Sequence, residues 1–111
     1  MNHEKLECYR LLASIAEEIA RRVTRWPKGT AYLADQITRA IASSVLNLAE
    51  GNGKKRFGKD RHRFFAISLG SIAEVSACLD LAHAFGLIQR CAQGSLKSRL
   101  RLAYTKIEAL P

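Results

Sequence analysis

From Leu33 to Gly51 the chain reads LADQITRAIASSVLNLAEG. On a helix advancing about 100° per residue, Gln36, Arg39, Ser43, Asn47 and Glu50 fall within an arc of about 80°. An apolar stripe of Leu33, Ile37, Ile41, Ser44, Val45 and Leu48 is centred about 110° from that seam. Ala42, Leu46 and Ala49 form a third face, and no charge falls between Arg39 and Glu50. An ordinary surface helix carries Lys and Glu at such positions. This one is therefore expected to be surrounded, by its own bundle and by another subunit.

The same periodicity recurs elsewhere. A helix near 4–25 is predicted from Tyr9, Leu12, Ala16, Ile19, Ala20 and Val23, with Arg21, Arg22 and Arg25 placed favourably at its C-terminal end. Trp26-Pro27 should stop it, because a residue before proline is pushed out of the α region. Thr30 is the expected N-cap of a helix over 31–50, and Gly51 its C-terminal stop. A third helix, near 58–85, carries two stripes: Phe65, Leu69, Ile72, Ser76 and Leu79, and beside them Phe64, Ile67, Ser71, Glu74 and Cys78. Gly86 closes it. Ser95 is the expected N-cap of a fourth helix, over 95–109, whose seam is Leu96, Leu100, Ala103, Ile107 and Leu110. No segment alternates at period two over strand length. The expected fold is all-α, an up-down antiparallel four-helix bundle forming one domain over 1–111.

Composition narrows the class. A length of 111 residues with 48% hydrophobic and 25% charged residues suits one modest globular core. Glu4 and Glu7 interrupt any signal-peptide pattern, and the longest uncharged runs are ten residues, shorter than a bilayer span. Cys8, Cys78 and Cys91 are odd in number with no CxxC, which fits reduced thiols. A cytoplasmic protein with no membrane partner is expected. The excess of 18 Lys and Arg over 10 Asp and Glu, a net +8, implies affinity for polyanions without identifying one.

Catalytic chemistry finds little support. Ser43, Asn47 and Glu50 share a face, but no His or Lys lies there to activate the serine. Only Asp80-x-x-His83 has the spacing of a bundle metal motif, and His83 reads as a satisfied helix residue. Gly51-Asn52-Gly53-Lys54 departs from a phosphate-binding loop at Leu48 and Lys55 and follows a helix, not a strand. No catalytic residue, metal or cofactor is expected, and the chain does not read as an enzyme.

The run KKRFGKDRHR sets Lys54, Lys55, Arg56, Lys59, Arg61 and Arg63 against the single acid Asp60. These six are the candidate nucleic-acid contacts, against the plainer reading of a solvated loop. Phe57 lies among them, placed to stack on an unpaired base. Gln36, Arg39, Ser43, Asn47, Glu50, Ser71 and Glu74 are the expected structural seam. Glu74 is the expected partner of Arg39, within one chain or across subunits, with Gly70 allowing close helix approach.

Leu33, Gln36, Arg39-Ala40, Ser43, Asn47, Ala49-Glu50-Gly51, Lys59, Phe64, Ala66, Gly70-Ser71 and Glu74 together resemble a bacterial four-helix-bundle family, as do Tyr9 and Trp26-Pro27. That family includes the 23S rRNA intervening-sequence proteins, and the accessory variability determinant proteins of diversity-generating retroelements are related to it. The resemblance implies a homopentameric ring. In the retroelement branch it also implies binding of reverse transcriptase and nucleic acid through a basic surface. The resulting expectation is a non-catalytic, oligomeric nucleic-acid-binding protein, accessory to a reverse transcriptase or associated with RNA. The alternative is an oligomeric protein-binding scaffold with no nucleic-acid role.

Overall fold

Four helices account for most of the chain: α1 (Glu7–Val23), α2 (Ala31–Asn52), α3 (Lys59–Ala84) and α4 (Arg90–Glu108), with short 3-10 turns at Asn2–Lys5 and Lys28–Thr30. The computed structural model describes residues 1–111, the side chain of Lys5 excepted, and no strand occurs among the described residues. Each helix packs on the two beside it, α1 on α2 and α4, and α3 on α2 and α4; the α2–α3 contact is the most extensive. Cross-helix bonds fix the directions. Ser44 meets Ser68 while Ser43 meets Ser71, and Glu18 meets Arg99 while Glu7 meets Lys106. In both pairs one number falls as the other rises, so both pairs run antiparallel. The long dimension, 43 Å against 23 and 21 Å, is close to the length of α3 alone at about 1.5 Å per residue.

The core is built from the predicted stripes. Leu33, Ile37, Ile41, Ser44 and Leu48 are buried on α2, and Leu96, Leu100, Ala103 and Ile107 on α4. Two stripes shift. On α1 the inward line is Cys8, Leu12, Ile15 and Ile19, and Ala20 points to solvent. On α3, Ile67 and Glu74 are exposed, while Arg61, Ser68, Val75 and Ala82 turn inward. By length and apolar character alone α3 would suffice to cross a bilayer, although its uncharged runs are short. Its residues Phe65, Ile72, Val75, Leu79 and Ala82 lie in the bundle core.

Helix ends correct several expectations. Gly51 does not stop α2; it is a buried helical residue, and a Cβ there would lie 2.7 Å from the Phe65 ring. The helix continues to Asn52 and stops where the Gly53 N–H donates to the Ala49 and Glu50 carbonyls. Thr30 stands at the N-cap position, but its hydroxyl donates to the Pro27 carbonyl at 2.6 Å and accepts from no N–H of the first turn of α2. Gly86, at φ 75°, ends α3 as expected: its N–H donates to His83 and the next N–H, of Leu87, to Ala82. α4 then starts at Arg90, well before Ser95, which lies exposed inside it. Buried Ile88 anchors the turn to the core, leaving the chain free to wind directly afterwards.

Candidate nucleic-acid interface

The loop between α2 and α3 is built on a buried arginine. Arg61 is 7% exposed, its guanidinium 4.8 Å from the Phe65 ring centre. Its Nη1 donates to the carbonyls of Gly51 (3.3 Å) and Asn52 (3.2 Å), and its Nε to the Pro111 carbonyl (3.0 Å). The last carbonyls of a helix lack intrahelical partners and carry its negative dipole end, so a cation there satisfies both needs. Arg61 thus ties the end of α2 to the end of the chain. Of the six predicted nucleic-acid contacts it alone faces inward, and it leaves that set for a structural reason.

Lys54, Lys55, Arg56, Lys59 and Arg63 remain exposed. The loop holding them is short and tethered: Lys54 N–H donates to Gly51, Gly58 N–H to Lys55, and Phe57 N–H to Pro111. Phe57 adopts φ 62°, a left-handed conformation that is costly for an aromatic residue, and its side chain is 69% exposed. Arg56 lies 5.5 Å from the Phe57 ring centre, while Lys54 (5.6 Å) and Arg63 (4.5 Å) both lie near the ring of Phe64. These rings hold cations beside one another without neutralising them. Asp60 reaches Arg63 only at 4.0 Å, between two exposed side chains. Lys54, Lys55, Gly58, Lys59, Asp60 and Arg61 line an open groove of about 300 Å³ at the N-terminus of α3. The helix dipole there has the same positive sense as the lysines.

The predicted seam divides. Ser71 Oγ donates to Ser43 Oγ at 2.8 Å across α2 and α3, and Asn47 Nδ2 donates to the Ser43 carbonyl (2.8 Å) and hydroxyl (3.1 Å). Gln36 turns to Tyr32 on its own helix, and Glu50 is exposed. Arg39, 77% exposed at its side chain, pairs with Asp35 at 3.0 Å. The observed hairpin register brings Arg39 level with Glu74, yet both side chains are exposed and Arg39 pairs with Asp35, so the expected pairing is not formed within the chain. Gly70 meets nothing within 4 Å; the close approach falls at Gly51 instead.

Several structural groups escaped the sequence pattern. Ser68 Oγ donates to the Ser44 carbonyl (2.7 Å) and Ser44 Oγ to that of Ile41 (2.7 Å), both serines fully buried. The signal available was Ser68 three residues before Ser71, facing the adjacent pair Ser43-Ser44. Glu18 accepts from Arg22 (2.9 Å) and Arg99 (2.5 Å), joining α1 to α4. Burial raises its carboxyl, but the two arginines outweigh that and hold it below the usual range. Asp80 accepts from Lys97 and Gln93, which lower its carboxyl. His83 donates from Nδ1 to the Ile88 carbonyl at 3.2 Å. The Asp80-x-x-His83 pair is therefore divided between two other tasks, and no three-residue metal cluster occurs among the described residues.

An all-helical chain of four packed helices, with a basic loop clamped at one end, defines the class: a small helix-bundle protein. The chain belongs to the 23S rRNA-intervening sequence protein family, whose profile matches residues 4–108. Comparison with curated proteins gives no significant match.

Proposed function

We propose that this protein is a non-catalytic, oligomeric nucleic-acid-binding protein, associated with RNA or accessory to a reverse transcriptase. The observation carrying this reading is the loop end itself. Five exposed cations crowd one loop and the first turn of α3, around a groove at a helix N-terminus, with Asp60 the one acid among them. Phosphates are the ligands such a surface suits, through charge neutralisation and counterion release. Phe57, exposed beside Arg56, adds a stacking face for unpaired bases. The resemblance to the retroelement accessory proteins supports the reverse-transcriptase variant, and cytoplasmic localisation follows from an RNA-associated role.

An exposed apolar flank supports the oligomeric part of the reading. Ala42 and Leu46 on α2 are exposed, Leu46 at 67%, on a stretch with no charge between Arg39 and Glu50. A homopentameric ring, as the resemblance implies, would cover that face and repeat the basic loop, so weak phosphate contacts gain avidity. The same apolar face favours the second reading, a protein-binding scaffold whose basic surface only keeps it soluble.

A gel-shift titration at about 50 mM salt, with a ribosomal RNA fragment and a random duplex, separates the two, because phosphate contacts are strongest at low salt. Nucleic-acid binding predicts a shift that weakens steeply as salt rises and falls in the Lys54→Ala, Lys55→Ala, Arg56→Ala variant at unchanged helicity. A wild-type protein that shifts neither probe rejects this reading and leaves the scaffold.

A further inference from the structure

The opposite end of the bundle carries a second basic cavity, where α1 ends and the α3–α4 turn comes back beside it. It is open, about 520 Å³, and lined by Glu18, Arg21, Arg22, Arg25, Trp26 and Leu87. Its one acid is already engaged: both Glu18 carboxylate oxygens accept from arginines, Arg22 and Arg99. Arg21 and Arg25 are exposed and form no ion pair among the described residues; Glu17, four positions before Arg21, does not close on it. Trp26 is half-buried, packed against the core, and forms the apolar wall with Leu87.

The end of α1 would ordinarily repel an anion, because a helix C-terminus carries about half a negative charge. Here its carbonyls are satisfied: that of Arg21 by the Thr24 hydroxyl, that of Arg22 by the Arg25 N–H, and that of Val23 by the Trp26 N–H. The three lining guanidiniums, Arg21, Arg22 and Arg25, against one carboxylate outweigh the remaining dipole. Arg21, in the last turn of α1, and Arg25, two residues beyond its end, line the same cavity, where two guanidiniums suit one phosphate. Beside them a flat indole and a leucine offer a surface for a planar ring. Phosphate and base together describe one ligand class.

We propose that this cavity is a nucleotide site, taking a nucleoside monophosphate unit with its base against Trp26 and Leu87 and its phosphate on Arg21 and Arg25. The unit is either a free nucleotide or the 5′-phosphorylated end of a strand. The site stands independently of the Lys54–Arg63 loop, at the far end of the bundle.

Trp26 is the only tryptophan, so its emission, excited selectively over the three tyrosines, reports on this cavity. The full-length protein is titrated with adenosine monophosphate, with ribose 5-phosphate, and with a short oligoadenylate bearing or lacking a 5′-phosphate. Expected is saturable quenching by the monophosphate, the phosphorylated strand or both, with little from ribose 5-phosphate. Which of the two quenches identifies the source. Arg21→Ala with Arg25→Ala should weaken the response about tenfold or more, and lysine at both positions should restore part of it. The Lys54→Ala, Lys55→Ala, Arg56→Ala variant should leave the mononucleotide response unchanged, even if binding of long RNA is lost. No quenching by either nucleotide probe overturns the proposal, as does quenching that survives loss of both arginines with circular dichroism unchanged.

Discussion

Arg39 and Arg61 carry the same guanidinium into opposite surroundings. Arg39 lies in solvent with Asp35 one turn before it, and an exposed i,i+4 pair contributes little. Arg61 is buried under three backbone carbonyls and a phenyl ring. Arg61→Ala should cost about 2–3 kcal/mol, because it strands buried acceptors as well as removing charged hydrogen bonds. Arg39→Ala should cost less than about 0.5 kcal/mol. Urea unfolding followed by circular dichroism checks both, and equal losses would contradict the assignment. The cysteines divide in the same way. Cys8 and Cys78 are buried, and that burial raises their thiols, whereas Cys91 is exposed. A thiol reagent on the native protein should react with Cys91 first, and with the other two only as the bundle opens.

Between elements, two contacts decide how the helices meet. Gly51 faces the Phe65 ring at a distance that admits no side chain. Gly51→Ala gains about 1 kcal/mol in helix propensity but must displace a buried phenyl ring, an overpacking cost of about 1–3 kcal/mol. A net loss of stability is expected, and Phe65→Leu in the same chain should relieve part of it. Glu18 joins α1 to α4. Its folded carboxyl lies below the ordinary 4.5, so the unfolded chain takes up its proton more readily than the folded one. The stability it adds is complete above about pH 4.5 and is lost as pH falls through the lowered folded value. With the carboxyl 21% exposed, about 1–2 kcal/mol is expected, between exposed and buried pairs. Glu18→Gln should flatten that part of the acid limb in pH-dependent thermal unfolding.

At the scale of the molecule, charge gathers at the two ends and apolar exposure on the flank. The basic loop occupies one end and the arginine cavity the other, about one helix length apart. Leu46 stands out from the side of α2. Leu46→Lys should dissociate an assembly held by that flank while leaving each bundle helical, because Leu46 contributes nothing to the core. Sedimentation analysis of both proteins at tens of micromolar checks this. A wild-type monomer there would leave the flank without a partner copy.

The sequence by itself determined the four helices, the buried faces of α2 and α4, and the glycine turn at Gly86. Each is a property of one helix of fixed pitch, or of one residue's backbone freedom, and spacing along the chain reports it directly. Spacing also grouped Ser43 and Asn47 on one face, and Ser71 was expected opposite them. It did not tell Arg61 from its basic neighbours, since inward and outward cations look alike in a charged run. That distinction came only when the end of α2 brought unpaired carbonyls to one spot beside Phe65. Tertiary structure likewise brought Arg99 of α4 to Glu18 of α1 and gathered Trp26, Leu87 and three arginines around one cavity. Those partners lie on different elements or faces, and the register between helices is fixed by the packing of the whole bundle, not by the period of any one of them.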